Sequence, residues 1–320
     1  MKDIAIIGTG FSAASFSYFI KKDLDFYEKS RGVGGRCSTR RVENVGLFDH
    51  GLQYIKSQDQ EFKKFLKDYC VWKGDFKIFQ NNRLIDDLGK ERIIHENGNN
   101  ALVKNLFKNK NVMLNKELKN LEKQGDNFQL TFKDDTQENY KTVIITAPFQ
   151  QAYNLTKQFT ESFFSKFDYS MQPNLTLMVA FNKSLNLNLS AISFENDDVL
   201  GFAANENTKK KDLINKDLEL WTIQSSLKYS IKNIYEYRNN KPNLIDEMLN
   251  SFSTKLKVDI KKDNIQYSDI HGWLYAYNQK AAATNCYWDK DLRLGICGDW
   301  FSGGNAANAF ANAKQLAKLI

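Results

Sequence analysis

The first stretch of the chain, Lys2 to Glu28, limits its fold more than any other. Ile4, Ala5, Ile6 and Ile7 form a short apolar run that ends in Gly8-Thr9-Gly10-Phe11-Ser12-Ala13, and Glu28 follows about 20 residues after the first glycine. Strand, glycine turn, helix and second strand in that order make the opening unit of a dinucleotide-binding fold. Gly8 lets the chain turn off the strand, Gly10 removes a side chain that would block a pyrophosphate, and Ala13 and Ala14 let helix and strand pack closely. The helix start offers free N–H groups and a positive dipole end to phosphates. Glu28, closing a strand over Asp25 to Glu28, can accept both ribose hydroxyls and repels a 2′-phosphate, which favours FAD or NAD over NADP.

A chain of 320 residues is long enough for one large or two interlocked domains, and its 42% hydrophobic content is enough to bury a sizeable core. The formal charge of +7 does not imply nucleic acid, because the lysines are scattered and the longest basic run, Lys209-Lys210-Lys211, is short; a solvated surface is expected there. Cys37, Cys70, Cys286 and Cys297 form no Cys-x-x-Cys pair and no metal spacing, so reduced thiols, no metal and a cytoplasmic location are expected. The chain enters a strand within two residues, with no basic leader, and no apolar stretch approaches membrane-spanning length, so neither secretion nor membrane insertion is expected.

Just past the second strand, Lys29 to Arg41 holds three glycines and four arginines, which suits a loop laid along a pyrophosphate: glycines for close approach, Arg31 and Arg36 for charge. Phe48-Asp49-His50-Gly51-Leu52-Gln53-Tyr54 suits an extended segment passing a ligand, Gly51 allowing the backbone near it. Far along the chain, Leu292 to Cys297 is an apolar strand, and Gly298-Asp299-Trp300 turns from it toward a final helix, Asn305 to Ile320. Asp299 at that strand end can accept a hydrogen bond from a ribityl hydroxyl. Gly303 and Gly304 let a helix start approach a planar ring, where free N–H groups and the dipole stabilise negative charge.

These motifs resemble those of FAD-dependent amine-oxidase-type flavoproteins, and most of all the renalase-like branch. The resemblance rests on Gly8-x-Gly10-x-x-Ala13, Glu28, Gly34-Gly35-Arg36 and Asp49-x-Gly51-x-Gln53-Tyr54, with His271 to Ala276 and Gly298 to Gly304 late in the chain. It departs from the pattern at Ala307, where an acidic residue is usual, and at Asn312-Ala313, which replace a Ser-Gly pair. The resemblance implies an α/β fold with an α+β second layer: a Rossmann-type FAD-binding domain carrying an inserted antiparallel-sheet substrate domain, as in amine oxidases and p-hydroxybenzoate hydroxylase. The FAD-binding domain is expected over 1–58, 96–150 and 266–320, and the substrate domain over 59–95 and 151–265.

The local patterns fill in that frame. Asp59 to Tyr69 suits an amphipathic helix, Val71 to Leu88 a hairpin turning at Asn81-Asn82, and Ala101 to Phe107 a helix. Val112 to Leu114, Glu117 to Lys123, Phe128 to Phe132 and Thr142 to Thr146 suggest a meander, stopped by Pro148. Gln151 to Phe167 suggests a helix, and Leu175 to Phe181, Leu200 to Ala204 and Leu220 to Ser225 strands. Ile231 to Leu256 suggests helix either side of Pro242, and Ile265 to Trp273 the return to the nucleotide domain.

The cofactor expected is non-covalent FAD. Its contacts are assigned to Gly8, Gly10, Phe11, Ser12, Ala13, Glu28 and Lys29, to Gly35, Arg36, Gln53 and Tyr54, and to Gly298, Asp299, Asn305 and Ala306. Because a flavin accepts the hydride itself, no nucleophile triad is needed, and the protein positions the donor and excludes water. His271, Tyr275 and Gln53 are the catalytic candidates, and His50, Tyr54 and Trp273 the substrate contacts; planar side chains among them can sandwich an aromatic or pyridine ring. His95 falls in a loop, and Trp288 has no assigned role.

For the renalase-like branch the resemblance implies oxidation of unproductive dihydronicotinamide isomers back to NAD(P)+, with O2 as acceptor and H2O2 as product. An amine oxidase or desaturase on the same fold is the alternative, and a non-catalytic flavin-binding interaction protein a third. The partners expected are a small-molecule substrate and O2, without nucleic acid or membrane, in a monomer or weak homodimer.

Overall fold

A computed structural model describes every residue except Met1, Lys90, 167–169, 210–212, Gln279 and Ala283. Phe167 of the expected fourth helix, and Lys210 and Lys211 of the basic run, therefore lie outside the described residues. In chain order the elements begin with β1 (Lys2–Ile7), α1 (Phe11–Phe19), β2 (Leu24–Tyr27), β3 (Thr39–Val42), β4 (Gly46–Asp49) and α2 (Gln60–Leu66). β5 (Cys70–Val71), β6 (Phe76–Gln80), β7 (Arg83–Asp86), β8 (Ile93–Ile94), α3 (Asn100–Lys104), β9 (Asn111–Met113), β10 (Leu118–Gln124), β11 (Asn127–Phe132) and β12 (Gln137–Ile145) follow. Next come α4 (Phe149–Phe164), β13 (Met171–Phe181), β14 (Ala191–Phe194), β15 (Leu200–Asn205), β16 (Glu219–Ser225), α5 (Leu227–Asn233) and α6 (Lys241–Leu256). β17 (Ile265–Asn278), β18 (Tyr287–Asp289), β19 (Leu294–Ile296) and α7 (Ala306–Ala317) complete the set.

Two sheets carry the structure. The first runs β10-β11-β12-β1-β2-β9, with β19 joined to β12 and β18 to β19. β1 lies parallel to both β12 and β2, and the alternation of its side chains decides what each face covers. Ile4 and Ile6 pack with Ala13, Phe16, Phe310 and Leu316 of α1 and α7, while Ala5 and Ile7 pack with Phe128, Ala152 and Trp300 on the other face. Burial on both faces is the reason β1 is a continuous apolar run.

The second sheet runs β17-β13-β16-β15-β14-β6-β7. Leu175, Leu177, Val179 and Phe181 of β13 share a core with Tyr229 of α5 and with Leu244, Met248 and Phe252 of α6. Met178 and Ala180 point the other way, onto Val45 and Phe48 beside β4. The nucleotide-side hairpin is thereby packed directly on the second sheet.

The structure matches the α/β reading, with differences that have local causes. Asn81 and Asn82 both take left-handed φ, 50° and 58°, and form the two-residue turn between β6 and β7. That hairpin joins the second sheet through a parallel β14–β6 pair, so the sheet is not wholly antiparallel. Val112 is not part of the meander: β9 pairs parallel with β2 at the far edge, a partner that a three-residue apolar run is too short to specify. The helix expected over 231–256 divides between α5 and α6 rather than at Pro242, which sits in the first turn of α6, where its missing N–H costs nothing. The largest correction concerns Ile265 to Trp273. It does not lead back to the first sheet but belongs to β17, which pairs antiparallel with β13 along the edge of the second. Among the described residues no helix is long and apolar enough to cross a membrane.

Candidate active site

The glycine turn after β1 is shaped by two different needs. Gly8 has φ +105°, and a Cβ there would stand 2.6 Å from Thr146 Oγ1. Gly10 begins α1, and a Cβ there would meet nothing within 4 Å, so the space in front of the helix is open. No side chain caps that helix start and no acidic residue lies in its first turn, which leaves its N–H groups and dipole directed at the opening. Gly35, at φ +54°, faces Gly10 across the same opening, its would-be Cβ 3.7 Å from Gly10 Cα.

Glu28 is buried at the end of β2 and already works for the turn. Its carboxylate accepts from Thr9 N at 3.1 Å, Thr9 Oγ1 at 2.6 Å and Ser30 N at 2.9 Å. Three of its roughly four acceptor positions are taken. Phe11 turns its ring toward Phe62 in the core, so of this residue only the backbone faces the opening. Lys29 reaches sideways to Gln151 Oε1 at 3.1 Å.

Arg36 links this region to the far end of the chain. Its guanidinium donates to the Ala276 carbonyl at 2.9 Å and to the buried Asp299 carboxylate. Asp299 sits in the turn after β19, which a set of asparagines holds in place. Asn312 Nδ2 donates to the Gly298 carbonyl at 2.8 Å, Asn278 to the Trp300 carbonyl at 2.6 Å, and Asn308 to the Ser302 and Gly303 carbonyls. Asn312, one of the two departures noted in the sequence, is thus a brace for the turn. The expected free helix start at α7 is partly used: Asn305 caps it by accepting the Asn308 N–H at 2.8 Å, and Ala306 is buried.

Asp49 is fully buried and forms the hub of the adjoining loop. Its Oδ1 accepts from Thr39 Oγ1 at 2.6 Å and Asn99 N at 2.8 Å, and its Oδ2 lies 3.8 Å from Lys209 Nζ. Lys209 Nζ donates to Gln53 Oε1 at 2.9 Å and approaches Glu206 at 3.5 Å, over the Trp72 ring. Glu206 in turn accepts from Asp49 N and Thr222 Oγ1. Lys209 therefore contradicts the solvated surface expected of the basic run: its side chain has no exposure, because two buried carboxylates hold it. Only Glu206, three residues ahead of it, hinted at this in the sequence. Gln53 is bonded at both ends, its Nε2 donating to the Asp49 carbonyl. Cys37 beside this hub donates to the Asn99 carbonyl at 2.9 Å, and burial together with Asp49 holds its thiol well above the usual range.

His50, His271 and Trp273 come together from β17 and the 49–54 loop. The two imidazoles lie 5.0 Å apart, Trp273 is 5.3 Å from His50 and 4.6 Å from His271, and its indole N–H donates to the His50 carbonyl at 2.8 Å. Tyr275 lies further along the same strand, where the register shifts between Trp273 and Tyr277, against the core that holds Phe301. Tyr54 stands apart, with Trp72 and Phe202. His95 lies behind the hub, its Nδ1 accepting Asn97 N, and Trp288 packs in the core. A separate groove of about 500 Å3, lined by Tyr18, Phe65, Lys67 and Lys110, contains none of these residues.

Burial, the neighbouring imidazole and Arg40 push His50 down to about 3, and burial with Arg40 pushes His271 down to about 4. Both are neutral at ordinary pH. Because their folded values lie below the unfolded value near 6.5, the unfolded chain binds more protons as pH falls, so stability is complete above about 6.5 and is lost below it. Between pH 7 and 4.5, His271→Phe is expected to lose on the order of 1–2 kcal/mol less unfolding free energy than the parent chain. Urea midpoints at the two pH values measure this; equal losses would remove the assignment.

Two family descriptions match the chain. Residues 6–69 match the NAD(P)-binding Rossmann-like domain, and residues 63–195 match the flavin containing amine oxidoreductase. Among solved structures, a protoporphyrinogen oxidase candidate from Exiguobacterium sp. 255-15 superposes with a TM-score of 0.77 at 9% identity, over 99% of this chain and 98% of that one. A reduced UDP-galactopyranose mutase gives 0.71 at 12% identity, over 87% and 82%. Putrescine oxidase bound to putrescine gives 0.69 at 8% identity, over 99% and 98%. At such identities these likenesses speak for the fold. With the glycine turn and the Arg36–Asp299 closure in one chain, the protein is similar to flavin-containing amine oxidoreductases over residues 63–195 and to NAD(P)-binding Rossmann-like domains over residues 6–69, on the mixed α/β fold that its structural neighbours share.

Proposed function

We propose that the chain is an FAD-dependent oxidase whose hydride donor is a dihydronicotinamide, with O2 as acceptor and H2O2 as product. The observation that carries this reading is the aromatic face of β17. Alternation sets Tyr267, Asp269, His271 and Trp273 on one face of an edge strand, a register shift follows before Tyr277, and Tyr267, His271, Trp273, Tyr275 and Tyr277 are all only partly buried. Two neutral imidazoles and an indole make a surface for a flat, uncharged ring. The one carboxylate on that face, Asp269, is already held between Lys241 and Arg40, which leaves little to attract a protonated amine.

The opening fits FAD on three counts: the free space at Gly10, the uncapped start of α1, and the pairing of Arg36 with Asp299. When bound, FAD supplies a two-electron hydride acceptor. In this proposal the backbone of Gly8, Gly10, Phe11, Ser12 and Ala13, with Gly35 and Arg36, holds the pyrophosphate. Glu28 and Lys29 serve the ribose side, with Glu28 keeping Thr9 in place at the same time. Gly298, Asp299, Asn305 and Ala306 stand at the flavin end. The hold is proposed as non-covalent, and the Cys37 thiol beside the loop, buried and kept protonated, offers no reactive thiolate there.

Toward the donor, His50 and Trp273 form walls, and His271 and Tyr275 orient the ring and exclude water, while Tyr54, packed with Trp72 and Phe202, supports the far end of the 49–54 loop. Gln53, fixed by Lys209 and the Asp49 carbonyl, positions the loop that carries His50. Since both imidazoles stay neutral, the rate of flavin reduction is expected to show no imidazole limb between pH 5.5 and 8, a window set by values near 3 and 4.

Anaerobic mixing of the purified protein with 6-dihydro-NAD tests the reading. The visible flavin band is expected to bleach, and admission of air to restore it with release of peroxide. Bleaching by amines but not by dihydronicotinamides would move the substrate to an amine on the same scaffold. Bound FAD that neither donor reduces would leave a flavin-binding protein without this activity.

A further inference from the structure

Three cations from three different elements gather at one end of the β17 aromatic face. Lys241, at the start of α6, donates to Asp269 Oδ1 at 2.6 Å, and Arg40 of β3 lies 3.9 Å from Asp269 Oδ2. Arg238 comes from the segment before α6, its Nε donating to the neighbouring Tyr237 hydroxyl at 3.3 Å. The Tyr237 ring lies on Gly272: a Cβ at that position would stand 2.5 Å from Tyr237 Cε1. Gly272 is what lets the Tyr237-Arg238 segment close on the strand next to His271. Asp269 stands between two of these cations, and Arg238, carried by the segment whose Tyr237 ring lies on Gly272, adds a third charge beside His271, leaving a surplus of two positive charges. The Arg40, Lys241 and Asp269 side chains are 34%, 38% and 26% exposed, open enough for a ligand to reach.

A surplus of this kind at an open cleft is unfavourable by itself and is relieved by an anion. Guanidinium groups suit phosphate oxygens in particular, through paired charge-assisted hydrogen bonds. We propose that Arg40, Arg238 and Lys241 form a phosphate subsite that receives the diphosphate of a dinucleotide donor while its reduced pyridine ring lies along His271, Trp273 and Tyr275. This rests on the dihydronicotinamide reading for the ring and on the charge cluster alone for the phosphates. All three cations disfavour a proton on His271, in keeping with their convergence there. Selection for the anionic donor then comes from this end of the cleft, and the hydride-transfer end need only fit the ring.

The test compares the flavin-loaded protein with Arg40→Gln, Arg238→Gln and Lys241→Gln on two donors, dihydronicotinamide dinucleotide and the phosphate-free dihydronicotinamide riboside. Arg238→Gln is the cleanest, because no described carboxylate contacts that side chain. The preference for dinucleotide over riboside, as a ratio of kcat/KM, is expected to fall about tenfold in each variant through KM of the dinucleotide, the loss of one charge-assisted contact. An unchanged ratio overturns the subsite. Calorimetric titration with inorganic pyrophosphate at low salt supplies a readout independent of turnover. Binding to the parent protein that weakens at least about fivefold in the variants, and also on adding salt, supports the subsite even if neither donor reduces the flavin. In that event the donor reading alone falls. Pyrophosphate that does not bind, or binds the parent and all variants equally, overturns the subsite whatever the donors do.

Discussion

Replacing Lys209 by methionine is expected to lower the unfolding free energy by about 3–5 kcal/mol. The side chains of Lys209, Asp49 and Glu206 have no solvent exposure, so removing this cation leaves two carboxylates buried without its charge. Gln53 loses its partner at Oε1, and the loop carrying His50 loses a tie to the second sheet. The fitting control is Lys228→Met. Lys228 pairs with Asp198 at 2.8 Å, but both side chains are more than three-quarters exposed, and a pair in water is worth roughly 0–1 kcal/mol. Chemical denaturation of both variants measures the contrast. Similar small losses would show that the buried cluster does not hold the loop.

The second large effect is expected at Gly8. Gly8→Ala places a side chain at φ +105°, which costs about 1–3 kcal/mol, and sets its Cβ 2.6 Å from Thr146 Oγ1. Thr146 cannot swing away freely, since its hydroxyl donates to the Ile7 carbonyl at 2.9 Å. Strain and overpacking together are expected to cost about 3 kcal/mol and to abolish flavin retention on a desalting column. The double variant Gly8→Ala, Thr146→Ala separates the two causes. It is expected to recover about 1 kcal/mol relative to additivity, because the clash is gone while the backbone strain stays. Strict additivity would mean that the clash contributes nothing.

These two residues also mark how far the sequence was legible. Gly8 was readable because its constraint is local: an apolar run, a turn and a helix lie within a few residues, and the glycine must sit where they meet. Lys209 was not, because what buries it lies elsewhere. Asp49 and Gln53 are about 160 residues away along the chain, and a lysine next to two more lysines has the pattern of a surface. Asp49 was recognised as a motif residue, but its work as a hub for Thr39, Asn99 and Glu206 appears only once the two sheets are packed together.

β17 is an intermediate case. Its period-two pattern was present from Tyr267 to Tyr277, yet an edge strand facing a cleft mixes aromatic and polar residues on its half-open face, and that mixture resembles a connector. His271 and Trp273 were identified from their motif, while their meeting with His50 depends on the pairing of β17 with β13. Arg238 and Lys241 left no trace in any local pattern, and Arg40 showed only as one arginine of the Lys29–Arg41 loop, since separate parts of the chain deliver the three. At the other extreme, the hairpin at Asn81-Asn82 was fully legible, since that turn depends on two residues and nothing beyond them.

The packing of α1 against α7 bears on the order in which the protein can be assembled. Ala13, Ala14 and Phe16 of α1 are covered by Ala309, Phe310, Ala313 and Leu316 of α7, and the Arg36 guanidinium is held by Ala276 and Asp299. A ribosome therefore releases the glycine turn long before the residues that complete it. The nascent Rossmann unit must wait with one face of its first helix uncovered, and at the proposed site flavin capture would follow synthesis of β19 and α7. Stretches ending before Asp299 would then be apo and prone to chaperone binding, which couples cofactor loading to completion of the chain.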